Sequence, residues 1–238
     1  SDQAVDLTLP KTVQMALDYN RDIKVAHYAL TSSDFDIAIA KAGKMPQVGY
    51  TWSGARKMGQ ANGRDVIANS FGNSFSVSIP LYTGGQVENE IANAKLNKTN
   101  AQEEMLRVQQ ATKYSAVEGY YALLAYQELR DVYHEAVDNL QGHLDNVTAQ
   151  YNVGTKAKVD VLSSNVSLAN SKTTAVTADN NVAIAESNLN NILGLPLQTK
   201  LNLADHQLPF DTYDISLQEA IDYAMKYRPE VLQAAVAV

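Results

Sequence analysis

The chain contains no cysteine, and only 19% of its residues are charged. Without cysteine there is no disulfide framework, no cysteine-ligated zinc or iron–sulfur site, and no thiol catalysis. Such a composition is compatible with a cell envelope. The 19 lysines and arginines are outnumbered by 26 aspartates and glutamates, which leaves a net charge of −7. A nucleic-acid-binding surface needs surplus basic groups to neutralise phosphates, so nucleic acid is not expected as a partner.

Long apolar runs are also missing. No stretch reaches the roughly 18 apolar residues of a transmembrane helix, although a β-strand crosses a bilayer in about ten residues of alternating character. Hydrophobic residues make up 45% of the 238 positions, which argues against disorder.

The spacing of the hydrophobic residues divides the first part of the chain into a helical segment and two strand-like segments. It predicts a helix over residues 9–43 and then changes from about 3.6 to 2 in two stretches. These predict strands over 46–56 and 71–81, joined by a polar, turn-rich loop at 57–70.

Each predicted strand carries bulky apolar residues on one face and small uncharged residues on the other. A soluble strand usually places charged residues on its wet face, so this pattern favours a barrel interior with the bulky face toward lipid. An ordinary soluble hairpin is the alternative. The residues predicted to face lipid are Val48, Tyr50, Trp52, Phe75, Val77 and Ile79.

Two long helices are predicted next, over 86–150 and 155–193. Apolar residues step by three and four along both, which is the spacing of a coiled-coil seam. The first seam is Tyr133, Val137, Leu140, Leu144, Val147 and Tyr151, and the second is Val159, Leu162, Val166, Ala169, Thr173, Val176, Asn180 and Ala183. Two such helices joined by a short turn predict an antiparallel helical hairpin in an elongated, mainly α fold.

An internal repeat links the two ends of the chain at an offset of 208 residues. It pairs Leu9 with Leu217, Ala16 with Ala224, and Tyr19 with Tyr227. We therefore expect residues 1–215, ending in a linker at 194–215, to form one repeat. Residues 216–238 are expected to begin a second, truncated repeat, which makes the chain the first half of a two-repeat polypeptide.

Four segments in order carry a family resemblance. They are Leu9 to Asn20, Val77 to Gly85, Tyr151 to Thr155 followed by Asp160-Val161-Leu162, and Leu189 to Pro196. With these segments the chain resembles the TolC family of outer-membrane efflux proteins.

The resemblance implies a fold and a set of partners. The expected fold is mainly α, with long antiparallel coiled-coil helices as staves of an α-barrel and two membrane β-barrel strands. The full-length protein would be a trimer in the outer membrane, with its helices extending into the periplasm. It would be a passive conduit of a tripartite efflux or type I secretion system, in contact with outer-membrane lipid, a periplasmic adaptor and an inner-membrane pump. A non-transporting coiled-coil scaffold of the envelope is the alternative.

The resemblance also implies two sites on the helical hairpin. The turn formed by Tyr151, Asn152, Val153, Gly154 and Thr155 would dock the adaptor, and Asp160 would belong to the periplasmic gate. From the residues alone, Gly154 could equally cap a helix, and Asp160 could be a helix-start carboxylate favoured by the helix dipole.

No pattern for catalysis or cofactor binding is present. The histidines His27, His134, His143 and His206 lack metal-ligand spacing, and neither a phosphate-binding loop nor a serine nucleophile motif occurs. The sequence therefore predicts no metal, no cofactor and no enzymatic activity.

Overall fold

The computed structural model describes residues 4–61, 63–205 and 213–236. Residues 206–212 of the predicted linker, which include His206, lie outside this part. So do the last two residues of the predicted second repeat. The chain divides into two compact units: Ser1–His27 together with Glu103–Val238, and Tyr28–Gln102.

Long helices make up most of the described chain, which confirms the predicted mainly α class. The elements in chain order are β1 (Val5–Leu7), α1 (Leu9–Tyr19), α2 (Arg21–Ala42), β2 (Gln47–Ala61), β3 (Arg64–Ser78), α3 (Gln86–Asn152), α4 (Lys158–Ile192), β4 (Leu201–Leu203), α5 (Leu217–Tyr227) and α6 (Pro229–Val236). None of the helices in the described ranges combines the length and the apolar character needed to cross a bilayer.

The single helix predicted over 9–43 is wrong, because the chain breaks at Asn20. This residue adopts an extended backbone between α1 and α2, with φ −58° and ψ 138°. Its Oδ1 accepts a hydrogen bond from the Asp22 N–H at 2.8 Å, and its Nδ2 donates to the Ile192 carbonyl at 2.9 Å. Asn20 thus begins α2 as a helix cap and is tied to the end of α4. The apolar periodicity of the sequence continues through Asn20, so the pattern gave no sign of a helix break there.

The loop predicted over 57–70 is also wrong, because antiparallel pairing continues through it. The register runs from Gln47 opposite Ser78 to Ala61 opposite Arg64. Backbone pairing does not require apolar side chains, and a two-residue connection closes the hairpin, with Gly63 at φ +73°. The sequence signal for a turn is the dipeptide Asn62-Gly63, of which Asn62 lies outside the described residues. At the other end β3 stops at Ser78 rather than at residue 81, just before Pro80, which has no N–H to donate.

Helices α3 and α4 form the predicted antiparallel hairpin. A Cβ on Gly119 would lie 3.3 Å from side-chain atoms of Leu189 and Ile192. Further along α3, His134 Nε2 lies 2.9 Å from Asp179 Oδ1. As the contacts move toward the C-terminus of α3, they move toward the N-terminus of α4. The two helices are therefore antiparallel.

The seam predicted for α4 lies on the wrong face of the helix. Its largest members are exposed, whereas the buried stripe consists of mostly small residues two positions further on. This stripe is Ser164, Leu168, Ala175, Ala178, Ala185 and Leu189. Two residues rotate an α-helix by about 200°, so the two stripes lie on nearly opposite sides. Side-chain size drew the prediction to the larger valines, but half of the buried stripe is alanine.

A short parallel sheet accompanies the core of the larger unit. Strand β1 pairs with β4, with Val5 opposite Leu201. Leu7 and Leu203 pack with Tyr120, Leu123 and Leu189 among the buried residues. The predicted linker therefore contains a strand, which was missed because three residues are too few to display a period.

A buried glutamate fastens β4 to α4. The Oε1 of Glu186 accepts a hydrogen bond from the Leu201 N–H at 2.8 Å, and its Oε2 pairs with Lys200 Nζ at 3.0 Å. The preceding turn is held by Asn190, whose Nδ2 donates to the carbonyls of Leu197 and Thr199. The Asn190 side chain is fully buried, so these bonds replace those that water would otherwise accept from its Nδ2 group, whereas its Oδ1 has no partner among the described residues.

The repeat at an offset of 208 residues recurs in local structure. Helices α1 and α5 both span 11 residues, and they begin after the caps Thr8 and Ser216. Both end at an extended residue, Asn20 or Arg228, which a further helix follows directly. The sequence repeat is therefore also a repeat of helix boundaries. The division into two sequence repeats stays a prediction.

Tyr120 should make the fold sensitive to alkaline pH. Burial, and then the 2.6 Å hydrogen bond from its hydroxyl to Asp205 Oδ2, raise the pKa of Tyr120 to about 12. Because the folded-state pKa lies above the ordinary value near 10, the stabilising contribution is complete below pH 10 and is lost as the pH rises through 12.

In Tyr120→Phe the fall in unfolding free energy between pH 10 and 12 should therefore be smaller than in the parent by roughly 1–3 kcal/mol. Urea unfolding followed by circular dichroism measures it. Tyr114→Phe is the matched control, since Tyr114 lies on the same helix and is 68% exposed. Equal pH slopes for the parent and Tyr120→Phe would contradict the expectation.

Candidate functional surfaces

The β2–β3 hairpin has one bulky apolar face. Directly opposed residues of an antiparallel pair project to the same side of the sheet. The register places Val48 opposite Val77 and Tyr50 opposite Phe75. Trp52 lies on the same face, whereas Ile79 follows the end of β3. All six residues predicted to face lipid are more than half exposed. The pairing thus collects five of them on one surface, although their contact with lipid stays a prediction.

Asn73 is the polar interruption of this face and has a partner on it. The Tyr50 hydroxyl donates a hydrogen bond to Asn73 Oδ1 at 3.2 Å. Beside this pair, the rings of Trp52 and Phe71 stack with centroids 6.2 Å apart. The side-chain carbonyl of Asn73 is therefore satisfied by an aromatic residue of the same face, which lowers the cost of placing it in an apolar environment.

The opposite face of the hairpin carries small side chains in close contact. A Cβ on Gly49 would lie 3.0 Å from Ser76 Oγ, and one on Gly72 would lie 3.2 Å from Ser53 Oγ. Glycine and serine alternate across the two strands here. This face offers hydroxyl groups and exposed backbone rather than bulk, which suits it to water or to close approach by another segment.

A glycine pair and an ion pair form the passage from β3 to α3. Gly84 and Gly85 both have positive φ, at 64° and 85°, so they provide the bend between strand and helix. Lys44, just after α2, pairs with Glu88 on α3 at 2.9 Å. The hydrogen bond from Lys44 lowers the pKa of the Glu88 carboxyl.

The turn between α3 and α4 is a Schellman motif centred on Gly154. The Thr155 N–H donates to the Gln150 carbonyl and the Gly154 N–H to the Tyr151 carbonyl, both at 2.9 Å. Gly154 has φ +81°, a conformation that glycine adopts without strain. The helix-capping role of Gly154 is therefore present in the structure. The five predicted docking residues, Tyr151 to Thr155, are contiguous and exposed, and Val153 is 75% exposed.

Asp160 occupies the third position of α4. Its Oδ2 accepts a hydrogen bond from the Ala157 N–H at 3.2 Å. Ala157 is the N-cap residue, so this bond is the half of a capping box that satisfies the N-cap N–H, and it places a carboxylate in the first turn, where the helix dipole favours it. The helix-start role is therefore present, whereas the gate role stays a prediction.

A polar groove beside the turn was not predicted. It lies between α3 and α4 and is lined by residues that include His143, Gln150, Lys156, Asp160 and Ser163. These residues lie before and after the turn in the sequence, and the antiparallel pairing of the two helices brings them to one groove. In the ranges that the structure describes, no cluster of histidine and acidic residues could hold a metal ion.

Comparison with known proteins places this arrangement in a family. The sequence profile described as outer membrane efflux protein matches residues 12–195, which is more than half of the chain. The chain belongs to this family. The resemblance to the TolC family is thereby confirmed, and the outer-membrane location predicted from it is supported. It is a family of efflux proteins rather than enzymes, in agreement with the predicted lack of catalysis.

Individual members show how much of the family the chain covers. Outer membrane protein TolC of Escherichia coli is 29% identical over 146 residues, which are 60% of this chain and 30% of that protein. The outer membrane efflux protein BepC of Brucella suis is 25% identical over 189 residues, which are 79% of this chain and 41% of that protein. The chain thus spans less than half the length of these efflux proteins.

The fold is shared with a solved outer membrane channel. The CmeC outer membrane channel of Campylobacter jejuni aligns with 96% of this chain at a TM-score of 0.74 and 16% identity. The alignment covers 50% of that channel. At this level of identity the likeness concerns the fold alone.

The apolar face of the hairpin should contact lipid in the full-length efflux protein. Spin labels at Tyr50 and Val77 should be quenched by lipid-soluble relaxation agents, and labels at Thr51 and Ser76 by aqueous ones, because neighbouring residues of a strand point to opposite faces. Electron paramagnetic resonance of the membrane-embedded protein measures this. The reverse pattern, or no difference between the two pairs, would refute the lipid assignment.

Two helix-ending glycines should differ in their tolerance of alanine. Gly194, like Gly154, has positive φ and ends a helix in a Schellman motif. A Cβ on Gly154 would meet nothing within 4 Å, whereas one on Gly194 would lie 2.7 Å from the Tyr19 carbonyl oxygen. Gly154→Ala should therefore cost only the roughly 1–2 kcal/mol of left-handed strain, and Gly194→Ala a further 1–3 kcal/mol or so from the clash. Chemical unfolding of the two variants measures the difference, and equal losses would contradict the steric argument.

Proposed function

We propose that this chain is part of a passive export conduit, the outer-membrane component of a tripartite efflux or type I secretion system. The observation that carries the proposal is the part of the hairpin from Val48 to Gly54 paired with Phe71 to Val77, where bulky residues share one face and glycine, serine and threonine occupy the other. A strand pair inside a membrane pore needs this division, because one face meets lipid and the other meets water. Family membership and the shared channel fold support it.

The exposed stripe of α4 supports assembly of the full-length protein into a trimer. Val159, Leu162, Val166 and Val176 follow heptad spacing, and each is more than half exposed in the single chain. The opposite side of the helix already packs within the hairpin. A helix with apolar stripes on two sides suits a ring of staves, in which each helix has a neighbour on either side. The neighbouring helix would come from another hairpin of the assembly, in the periplasm.

The α3–α4 turn is the proposed contact with a periplasmic adaptor, and an inner-membrane pump would drive transport through that adaptor. The turn presents Val153 with most of its side chain in solvent, held on a backbone that the Schellman bonds fix. A rigid apolar knob at the end of a helical hairpin is suited to docking against the end of another coiled coil. Asp160 lies in the first turn of α4, near the same end of the helical hairpin as Val153, and is the proposed gate residue.

Val153 offers a sharper test of docking than Gly154, because changing it leaves the positive-φ position intact. In the full-length protein, Val153→Asp should reduce efflux and adaptor crosslinking by at least about fivefold, since a carboxylate would be desolvated on docking. Outer-membrane abundance and trimer content should be unchanged. The control is Val153→Thr, which keeps the shape of the side chain and should retain at least half of the efflux activity. Full efflux and undiminished crosslinking in Val153→Asp would reject the docking role.

A further inference from the structure

We propose that Arg56 binds a phosphate of the phosphorylated glycolipid headgroups in the outer leaflet, at the rim of the apolar face of the hairpin. The proposal rests on the proposed function, in which the hairpin crosses the outer membrane. It adds a lipid-binding residue and the chemical class of its ligand.

The register places Arg56 on the lipid-side face. It lies opposite Asn69, and the preceding pair on that face is Gly54 with Phe71. The stacked rings of Trp52 and Phe71 thus form the last bulky apolar pair before a cationic side chain. An arginine directly beyond an aromatic pair matches the order of groups at a membrane interface, where rings lie at headgroup level and charges lie in water.

The length of the apolar face agrees with this position. Continuing the register, Ile79 lies level with residue 46, which is ten residues from Arg56 along β2. Ten residues span about 33 Å along a strand, and a strand tilted by about 40° turns this into a height of roughly 25 Å. That is the height of the lipid-facing band of a membrane strand pair, so Arg56 marks its edge.

Chain connectivity decides which edge this is. Strand β2 follows α2 and strand β3 precedes α3, so both helices join the open end of the hairpin. Arg56 lies in the other half, toward the turn between Ala61 and Arg64. With the helices on the periplasmic side, the turn and Arg56 belong to the outer leaflet.

The side chain of Arg56 is available for a ligand. It is exposed, and in the part of the chain that the structure describes it makes no hydrogen bond or ion pair. A guanidinium binds phosphate through two parallel hydrogen bonds, and Asn69 across the pair can add an amide donor. The one acidic residue on this face of the hairpin within the described ranges, Asp65, pairs with Gln60, beyond Met58 and Ile67. Arg56 is therefore the first charged residue on this face beyond the Trp52–Phe71 pair, and only the Met58–Ile67 pair separates it from Asp65.

Lys57 provides a matched control within the same strand. It follows Arg56 directly, is also exposed, and carries the same charge. It projects to the opposite face, where its partner is Ala68. A specific lipid site requires Arg56 and not Lys57, whereas general attraction of anionic lipid to positive charge would depend on both.

The test uses the full-length protein, purified as a trimer in detergent and titrated with bisphosphorylated lipid A, with bound lipid counted by native mass spectrometry. Arg56→Gln should weaken binding by about tenfold or more, since a hydrogen-bonded ion pair is lost. Arg56→Lys should bind with intermediate affinity, and Lys57→Gln should bind as the parent does. Loss of the phosphates should have the same effect as loss of the arginine. Dephosphorylated lipid A should therefore bind the parent protein as weakly as bisphosphorylated lipid A binds the Arg56→Gln variant.

Equal binding by the parent and Arg56→Gln would overturn the proposal, and so would an equal loss in Lys57→Gln. The spin-label pattern at Tyr50 and Thr51 separates this failure from failure of the conduit proposal. If those labels report opposite environments while Arg56→Gln still binds lipid A fully, only the lipid site is rejected.

Discussion

The packing of α3 against the small-residue face of α4 is the contact on which the larger unit depends. It buries Ala178, Ala185 and Leu189, and it brings Gly119 within reach of Leu189 and Ile192. Strands β1 and β4 and helix α1 add their apolar residues to the core at this end of the helix pair. Since mostly small residues satisfy this contact, Val159, Leu162, Val166 and Val176 remain exposed on the opposite face. One helix thereby carries an internal seam and an external one, which is what a stave between two neighbours requires.

How much could be read from the sequence depended on whether a feature was periodic. The long helices, the period-2 strands and the apolar face of the hairpin were predicted because many residues repeat the same signal. Asn20 and β4 were missed because a cap or a three-residue strand depends on one or two hydrogen bonds. The seam of α4 was misplaced for another reason. Two heptad stripes coexist on that helix, and nothing in a single sequence states which of them is filled within the same chain.

The candidate sites show the same division. Pairing of β2 with β3 follows from local pattern, so the shared face of Val48, Tyr50 and Phe75 was predictable. The Tyr50–Asn73 hydrogen bond was not, because it joins residues 23 positions apart whose alignment depends on the exact register. The groove that includes His143 and Asp160 likewise requires the antiparallel alignment of two long helices. Patterns therefore locate surfaces, whereas polar partners need the fold.

The two ends of the helical hairpin place different demands on glycine, and the difference bears on function. Gly194 ends α4 where the backbone of Tyr19 approaches, so the fold excludes a side chain there. Gly154 ends α3 in open space, where the conformation alone favours glycine. Nothing packs against Gly154 in the way that the Tyr19 backbone packs against Gly194, although the same Schellman hydrogen bonds hold both turns. A turn that is rigid and yet uncovered is preorganised for a partner, because docking there costs little conformational entropy. The cap and the docking role are therefore complementary, since the first provides the geometry that the second would use.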